Sequence, residues 1–237
     1  MALKEDTNMS VRMGLIKKKP QWSTDDFRRY WLDHHGALAA RLPGLRRYEQ
    51  NHVIDTAQRG ITFTRGPEDV DGLSMLWFDS EEAMRAALDT DAGRALVADE
   101  NHFIGDLRIV SIDQVEVIPP ATDRPLIKRM SLLRRRPDVT PEKFRHEWRV
   151  EHARLVRATN GMCGYRQNLV IERQAPKGTT VGYEGLPIDG IVELWFESTE
   201  SLDAAFASAE GRTLMAHAPV FIAEITTFLV ERHVIVC

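Results

Sequence analysis

The 237-residue chain reads as an α+β protein: two ferredoxin-like βαββαβ units whose sheets close into one barrel-like core. Three observations predict this. The sequence repeats itself, each copy carries the same order of strand and helix signals, and neither copy has enough helix to cover both faces of its sheet. Residues 20–54 lie on residues 137–171 without a gap, with 12 identities in 35 positions. The pairs include Phe27/Phe144, Trp31/Trp148, His35/His152, Gly44/Gly161, Tyr48/Tyr165 and Asn51/Asn168. After a one-residue length change, residues 71–104 match 189–222, repeating Asp-Gly, Leu-Trp-Phe, Gly-Arg and Phe-Ile at the same spacing. The boundaries expected are a first unit at 1–118, a linker at 119–126 stiffened by Pro119, Pro120 and Pro125, and a second unit at 127–237.

Within the first unit each element has its own signal. Residues 12–17 read as a short strand. Ser23 or Thr24 caps a helix to about residue 42, with Asp25 and Asp26 in its first turn and Pro43-Gly44 stopping it. A second strand spans about 45–54, an irregular stretch (55–70) leads to a third at 72–78, and Ser80 caps the next helix. That helix breaks near residues 91–93, resumes to about 99, and a last strand covers 108–118. Packed helices leave one sheet face open, so the two units are expected to supply that cover to each other.

The composition excludes several classes. Lys and Arg total 31 against 35 Asp and Glu, a net charge of −4, and the runs Lys17-Lys18-Lys19 and Arg134-Arg135-Arg136 are too short for a phosphate track, so no nucleic-acid partner is expected. No stretch approaches the roughly 18–20 apolar residues of a membrane span, and the charged N-terminus has no apolar signal region, which predicts a cytoplasmic protein. Two cysteines, Cys163 and Cys237, make neither a disulfide framework nor a thiolate metal site, and no His-x-x-x-His pair occurs, so no metal is expected. No phosphate loop or dinucleotide fingerprint appears, and no cofactor is expected.

The first helix carries the chemistry. With Phe27 at 0° and about 100° per residue, Trp31 falls near 40°, Leu38 near 20°, His34 near −20° and His35 near 80°, placing both histidines on or beside the apolar stripe. In the second unit Phe144, Trp148, Leu155 and His152 take the same angles, with Glu151 in place of His34. On the second strand, alternation puts Tyr48, Gln50 and His52 on one face, matched by Tyr165, Gln167 and Leu169. A histidine on a helix facing a tyrosine on a strand across a small pocket supplies a general base and an oxyanion donor. The candidate catalytic residues are therefore His35, Tyr48, His52, His34, His152 and Tyr165. The candidate substrate-binding residues are Trp31, Gln50, Asn51, Trp77, His102 and Trp148. The first unit is favoured as the active one: it has His34, His52 and His102 where the second has Glu151, Leu169 and Val220, and His217 replaces Asp99.

Phe27-x-x-x-Trp31-x-x-x-His35 followed by Pro43-Gly44-Leu45-x-x-Tyr48, with its second copy Phe144-x-x-x-Trp148-x-x-x-His152, Gly161 and Tyr165, resembles the EthD domain of the dimeric α+β barrel superfamily. Asp99-Glu100-x-x-Phe103-Ile104 is similar to that family's acidic segment before the last strand, where the second copy departs with His217-Ala218. The resemblance implies an intramolecular dimeric α+β barrel and a pocket lined by the helix histidine. It also implies chemistry without metal or organic cofactor: lactone isomerases, cyclases, dehydratases, decarboxylases and quinone-forming monooxygenases share the fold, while one branch binds haem through a histidine. The expected function is a cofactor-independent lyase or isomerase acting on a small cyclic or aromatic carbonyl compound. The alternatives are a cofactor-free monooxygenase on phenols and a non-catalytic protein that binds a small hydrophobic molecule. A homodimer of the two-unit chain is compatible with each.

Overall fold

The structure, a computed structural model, describes residues 9–237. Residues 1–8, which include the charged N-terminal stretch read above, lie outside it. The first unit runs β1 (Ser10–Lys18), α1 (Thr24–Tyr30), a π-turn (Trp31–His35), α2 (Gly36–Ala39), β2 (Leu45–Asp55), β3 (Gly72–Phe78), α3 (Glu81–Leu88), α4 (Asp91–Phe103) and β4 (Ile104–Ile118). The second repeats the order: β5 (Ile127–Arg135), α5 (Pro141–His146), a π-turn (Glu147–His152), α6 (Ala153–Ala158), β6 (Gly164–Gln174), β7 (Gly190–Phe196), α7 (Thr199–Ala207), α8 (Ala209–His217) and β8 (Ile222–Val236).

The strands close into one barrel in the order β1-β3-β2-β8-β5-β7-β6-β4, all neighbours antiparallel. Each unit contributes four, and the seams are β2 against β8 and β4 against β6. Closure removes the open edges that a four-stranded sheet would expose. Alternation along β1 sends Val11, Met13 and Leu15 into the barrel, where they meet Met75, Val110, Met130, Leu132 and Phe228. Arg12, Gly14 and Ile16 point outward, under the helices. One end of the barrel interior is polar: buried Lys128 forms an ion pair with Glu193 (2.6 Å) and donates to Asn51 Oδ1 (2.8 Å), and Glu49 is held by Lys128, Arg232 and Arg47. Burial pushes the Glu49 carboxyl up, but those three cations outweigh it and hold the group far below the ordinary carboxylate range.

Several cap expectations are met. Ser23 Oγ accepts from Asp26 N–H at 3.1 Å and Ser80 Oγ from Ala83 N–H at 3.1 Å. The second helix breaks two residues earlier than expected, at Asp89, because Thr90 caps α4 by accepting from Gly93 N–H. Its continuation runs past Asp99 to Phe103, which brings Asp99 and Glu100 onto a helix.

The wheel drawn for the first helix is corrected by the π-turn. Gly36 N–H bonds to the carbonyl of Trp31, five residues back, so one residue is inserted and everything beyond it lags by about 100°. His35 takes the place on the stripe that the wheel gave to His34, and His34 turns to solvent with 56% of its side chain exposed. Ala39 is buried and Leu38 only half-buried, the same one-residue offset. The second unit repeats the shift: Ala153 N–H reaches Trp148 O, and Val156 rather than Leu155 is buried.

The repeated Asp-Gly pairs also find their cause. A Cβ at Gly72 would lie 2.3 Å from the Trp31 indole, and one at Gly190 2.3 Å from that of Trp148. The tryptophans therefore lie flat on the outer sheet face only because glycine sits beneath them. Asp71 and Asp189 accept from the backbone N–H groups of Lys18 (3.0 Å) and Arg135 (2.8 Å), fixing the start of β3 and β7 to the neighbouring strand.

Candidate active site

Each unit has a cavity between its helices and the outer face of its half-barrel. Arg12, Trp31, His35, Tyr48, Glu100 and Lys177 are among the residues lining the first. Ile61, Arg129, His152, Tyr165, Phe206 and Met215 are among those lining the second. Both have a volume of about 40 Å³, so they differ in chemistry and not in size.

A framework common to both is built by the π-turn. Trp31 Nε1–H donates to Tyr48 Oη at 3.1 Å, and Gln50 Nε2 donates both to Tyr48 Oη (3.2 Å) and to the Trp31 carbonyl (2.7 Å). Trp148, Tyr165 and Gln167 repeat this at 2.9, 3.0 and 2.7 Å. The glutamine thus satisfies the carbonyl at the wide turn while holding the tyrosine. Because Tyr48 Oη already accepts two bonds, its own proton is left for the cavity. Burial raises the pKa of Tyr48, which keeps that proton in place.

Behind the first cavity, His35 Nδ1–H donates to Asp99 Oδ2 at 2.8 Å, and the other Asp99 oxygen accepts from Tyr30 Oη. A carboxylate only accepts, so the proton is on Nδ1 and the Nε2 lone pair is free; among the described residues Nε2 has no partner. Burial lowers the His35 pKa and Asp99 pulls it back up, leaving a neutral imidazole at pH 7. Tyr30 is pushed up to about 12 by burial and by Asp99, so it remains a donor.

In the second cavity Asp99 is replaced by His217. His152 Nδ1 lies 3.3 Å from His217 Nδ1, and His217 Nε2–H donates to Glu147 at 3.2 Å. Burial and the second imidazole lower the His152 pKa to about 3, and among the described residues no carboxylate touches it to support it as a base.

The two cavities are closed by exchanged loops. The stretch after β2 crosses to the second unit, where Gln58 Nε2 donates to Ile225 O (2.7 Å), Ile225 N–H donates to Thr64 O (2.9 Å) and Ile61 enters the cavity wall. The stretch after β6 crosses to the first: Lys177 N–H donates to Leu107 O (2.7 Å) and its ammonium pairs with Glu100.

Of the residues singled out from sequence, the structure brings Trp31, His35 and Tyr48 to the first cavity and His152 and Tyr165 to the second. Trp148 stands behind Tyr165 as its hydrogen-bond donor. Gln50 holds Tyr48, and His52 lies behind both: its Nε2–H donates to Gln50 Oε1 (2.9 Å), its ring stacks on Trp31 at 4.5 Å, and burial with His233 and Arg28 nearby lowers its pKa to about 3. Asn51 and Trp77 face the barrel interior, where Asn51 Nδ2 donates to Leu73 O and Trp77 lies under Arg47. His102 is exposed beside Trp22 and Tyr30, and His34 is 3.5 Å from Asp99 at the surface. Sequence reasoning did not select Arg12, Glu100 or Lys177. Arg12 had a signal, since Arg129 repeats it at an outward strand position; Lys177 had none, because it comes from the irregular loop of the other unit.

The sequence matches the EthD domain over residues 19–106 and again over 136–224. The chain belongs to the EthD-domain family. No curated protein matches it significantly. Among solved structures, this EthD protein superposes on an anthrone oxidase-like protein with a TM-score of 0.64 at 10% identity, over 98% of this chain and 94% of that one. It also superposes on a Lactobacillus acidophilus NCFM protein provisionally assigned as a monooxygenase (TM-score 0.59, 10% identity, 96% and 95% covered). A dye-decolorizing peroxidase from Bacteroides thetaiotaomicron VPI-5482 gives 0.56 at 7% identity, with 94% and 93% covered. These likenesses are of fold. Haem, held through a histidine in one branch of the superfamily, does not fit the residues present: about 40 Å³ is far below the roughly 300–1,000 Å³ of sites for large ligands. Among the described residues no group of three or more His, Cys, Asp or Glu is arranged to hold a metal ion, and no helix is long and apolar enough to cross a membrane.

Proposed function

We propose that the first cavity carries out cofactor-independent proton transfer on a small cyclic or aromatic carbonyl compound, as a lyase or isomerase. The observation that carries this reading is the His35–Asp99 pair, which presents an unpartnered Nε2 lone pair to a cavity also lined by the free proton of Tyr48. Nε2 takes the acidic proton beside the carbonyl, and the electron pair moves onto the carbonyl oxygen, where Tyr48 Oη–H donates to it. Asp99 holds the imidazole in the required tautomer and stabilises the imidazolium that forms. The proton then returns from Nε2, to another carbon in an isomerisation or to a departing hydroxyl in a dehydration. Trp31 supplies a flat apolar wall.

The cavity is smaller than the engineered one of about 150 Å³ that holds benzene. A ring enters once flexible lining side chains such as Met84 and Lys177 move aside. Exchange of α-protons of small cyclic ketones in D₂O, followed by proton NMR, tests the reading. Wild type should accelerate exchange and His35→Ala should not; equal rates in both overturn it.

A second reading is favoured by the fold likeness to the anthrone oxidase-like protein: the same base would ionise a phenol, whose electron-rich anion then reacts with oxygen. Oxygen uptake with a phenol panel, abolished in His35→Ala, would support it over the first.

A further inference from the structure

Arg12 stands on the outward face of β1 and lines the first cavity, yet among the described residues no carboxylate lies within ion-pair distance of it and no acceptor is hydrogen-bonded to it. Glu100, the carboxylate in the same wall, is taken by Lys177 from the crossing loop. The cavity wall therefore carries two cations and one anion. Asp99 lies behind His35 and is engaged there and by Tyr30.

The repeat provides a control for what the fold itself asks of this position. Arg129 is the matching residue, only 5% exposed, and the protein engages it: Nη1 donates to the Arg59 carbonyl at 2.8 Å and the guanidinium lies 4.4 Å above Phe206, although Nε is left without a partner. Neither partner exists for Arg12. Leu88 replaces Phe206, and among the described residues no carbonyl of the crossing loop accepts from Arg12. One copy of the arginine is tied to the protein, and the other is left facing the cavity. A guanidinium in a partly desolvated wall is costly without an anion, and its fork of donors matches a carboxylate.

We propose that the compound bound in the first cavity carries a carboxylate, which docks on Arg12 and sets its carbonyl against Tyr48 and His35. The proposal rests on the reading of this cavity as the active site and adds the substrate class: small cyclic or aromatic oxo-acids, favoured over the neutral ketones that the same base also acts on.

Two matched probe pairs test it, benzoate with benzamide and butyrate with butyramide, by calorimetry or saturation-transfer NMR on the full chain. Wild type should bind each carboxylate about 10- to 100-fold more tightly than its amide. Arg12→Gln should erase that preference, Arg12→Lys should keep part of it, and Arg129→Gln and His35→Ala should keep all of it. Equal binding of acid and amide, no binding of either, or an unchanged preference in Arg12→Gln overturns the proposal. If the preference depends on Arg12 while His35→Ala still exchanges ketone protons, the carboxylate site stands and the base assignment falls.

Discussion

The two cavities began as copies, and their difference shows what the fold alone requires. Both keep the π-turn, the tryptophan over a glycine, and the Trp–Tyr–Gln hydrogen bonds. These features belong to the scaffold. The first cavity alone has a carboxylate behind its histidine, an untied arginine and an ion pair delivered from the other unit. The packing follows the chemistry. Under the helices of the second unit the buried apolar residues form one continuous cluster, whereas in the first they fall into two, one around Phe78 and Leu96 and one around Phe27 and Phe103. Charge in the first cavity accompanies a divided core.

Breaking each histidine should separate the halves most. His35→Ala should lower turnover by about 10²- to 10⁴-fold with little change in the thermal transition, while His152→Ala leaves turnover within twofold. Similar losses in both variants would mean that the second cavity also works. The comparison sharpens by transplanting the missing anion: in His217→Asp, the His152 pKa should rise from about 3 toward its ordinary value, read by an NMR titration of the imidazole. Tyr48→Phe and Tyr165→Phe should cost alike in stability, about 1–3 kcal/mol each, because both strand a buried indole N–H and amide. Only Tyr48→Phe should also slow turnover; denaturant melts and rates on the same samples check both.

The remaining effect is pH-linked. His52 and His152 fall to about 3 in the folded chain from an unfolded value of 6.5, so below pH 6.5 the unfolded chain binds more protons. Stability should be flat in pH above 6.5 from this source and decline as pH drops from 6.5 toward 3. His52→Gln should flatten part of that slope in melts between pH 4 and 7.

The repeat, the order of strands and helices along each copy and several boundaries were legible in the sequence because they rest on local patterns: β3 runs over the expected residues 72–78, and the caps at Ser23 and Ser80 hold. The barrel followed from the open sheet faces. The π-turn was hidden, since a period of 3.6 assumes that no residue is inserted, and so His34 and His35 exchanged places. Asn51 and Trp77 were correctly placed on strands, but alternation does not say which face carries a cavity, and His52, on the cavity face, is walled off by Gln50 and Trp31. The crossing loops were beyond any periodic reading: Lys177 meets Glu100 across 77 positions of chain, through backbone bonds that leave no pattern.

Those loops bear on how such a molecule can change over generations. In a homodimer of identical subunits, one base change alters both sites at once, so a site cannot be released from its duty while its twin continues. Joining the two copies in one polypeptide removes that restriction. Here each half also has an occupation in the other's chamber, since each lends a loop to its neighbour's wall, and the second lends a lysine.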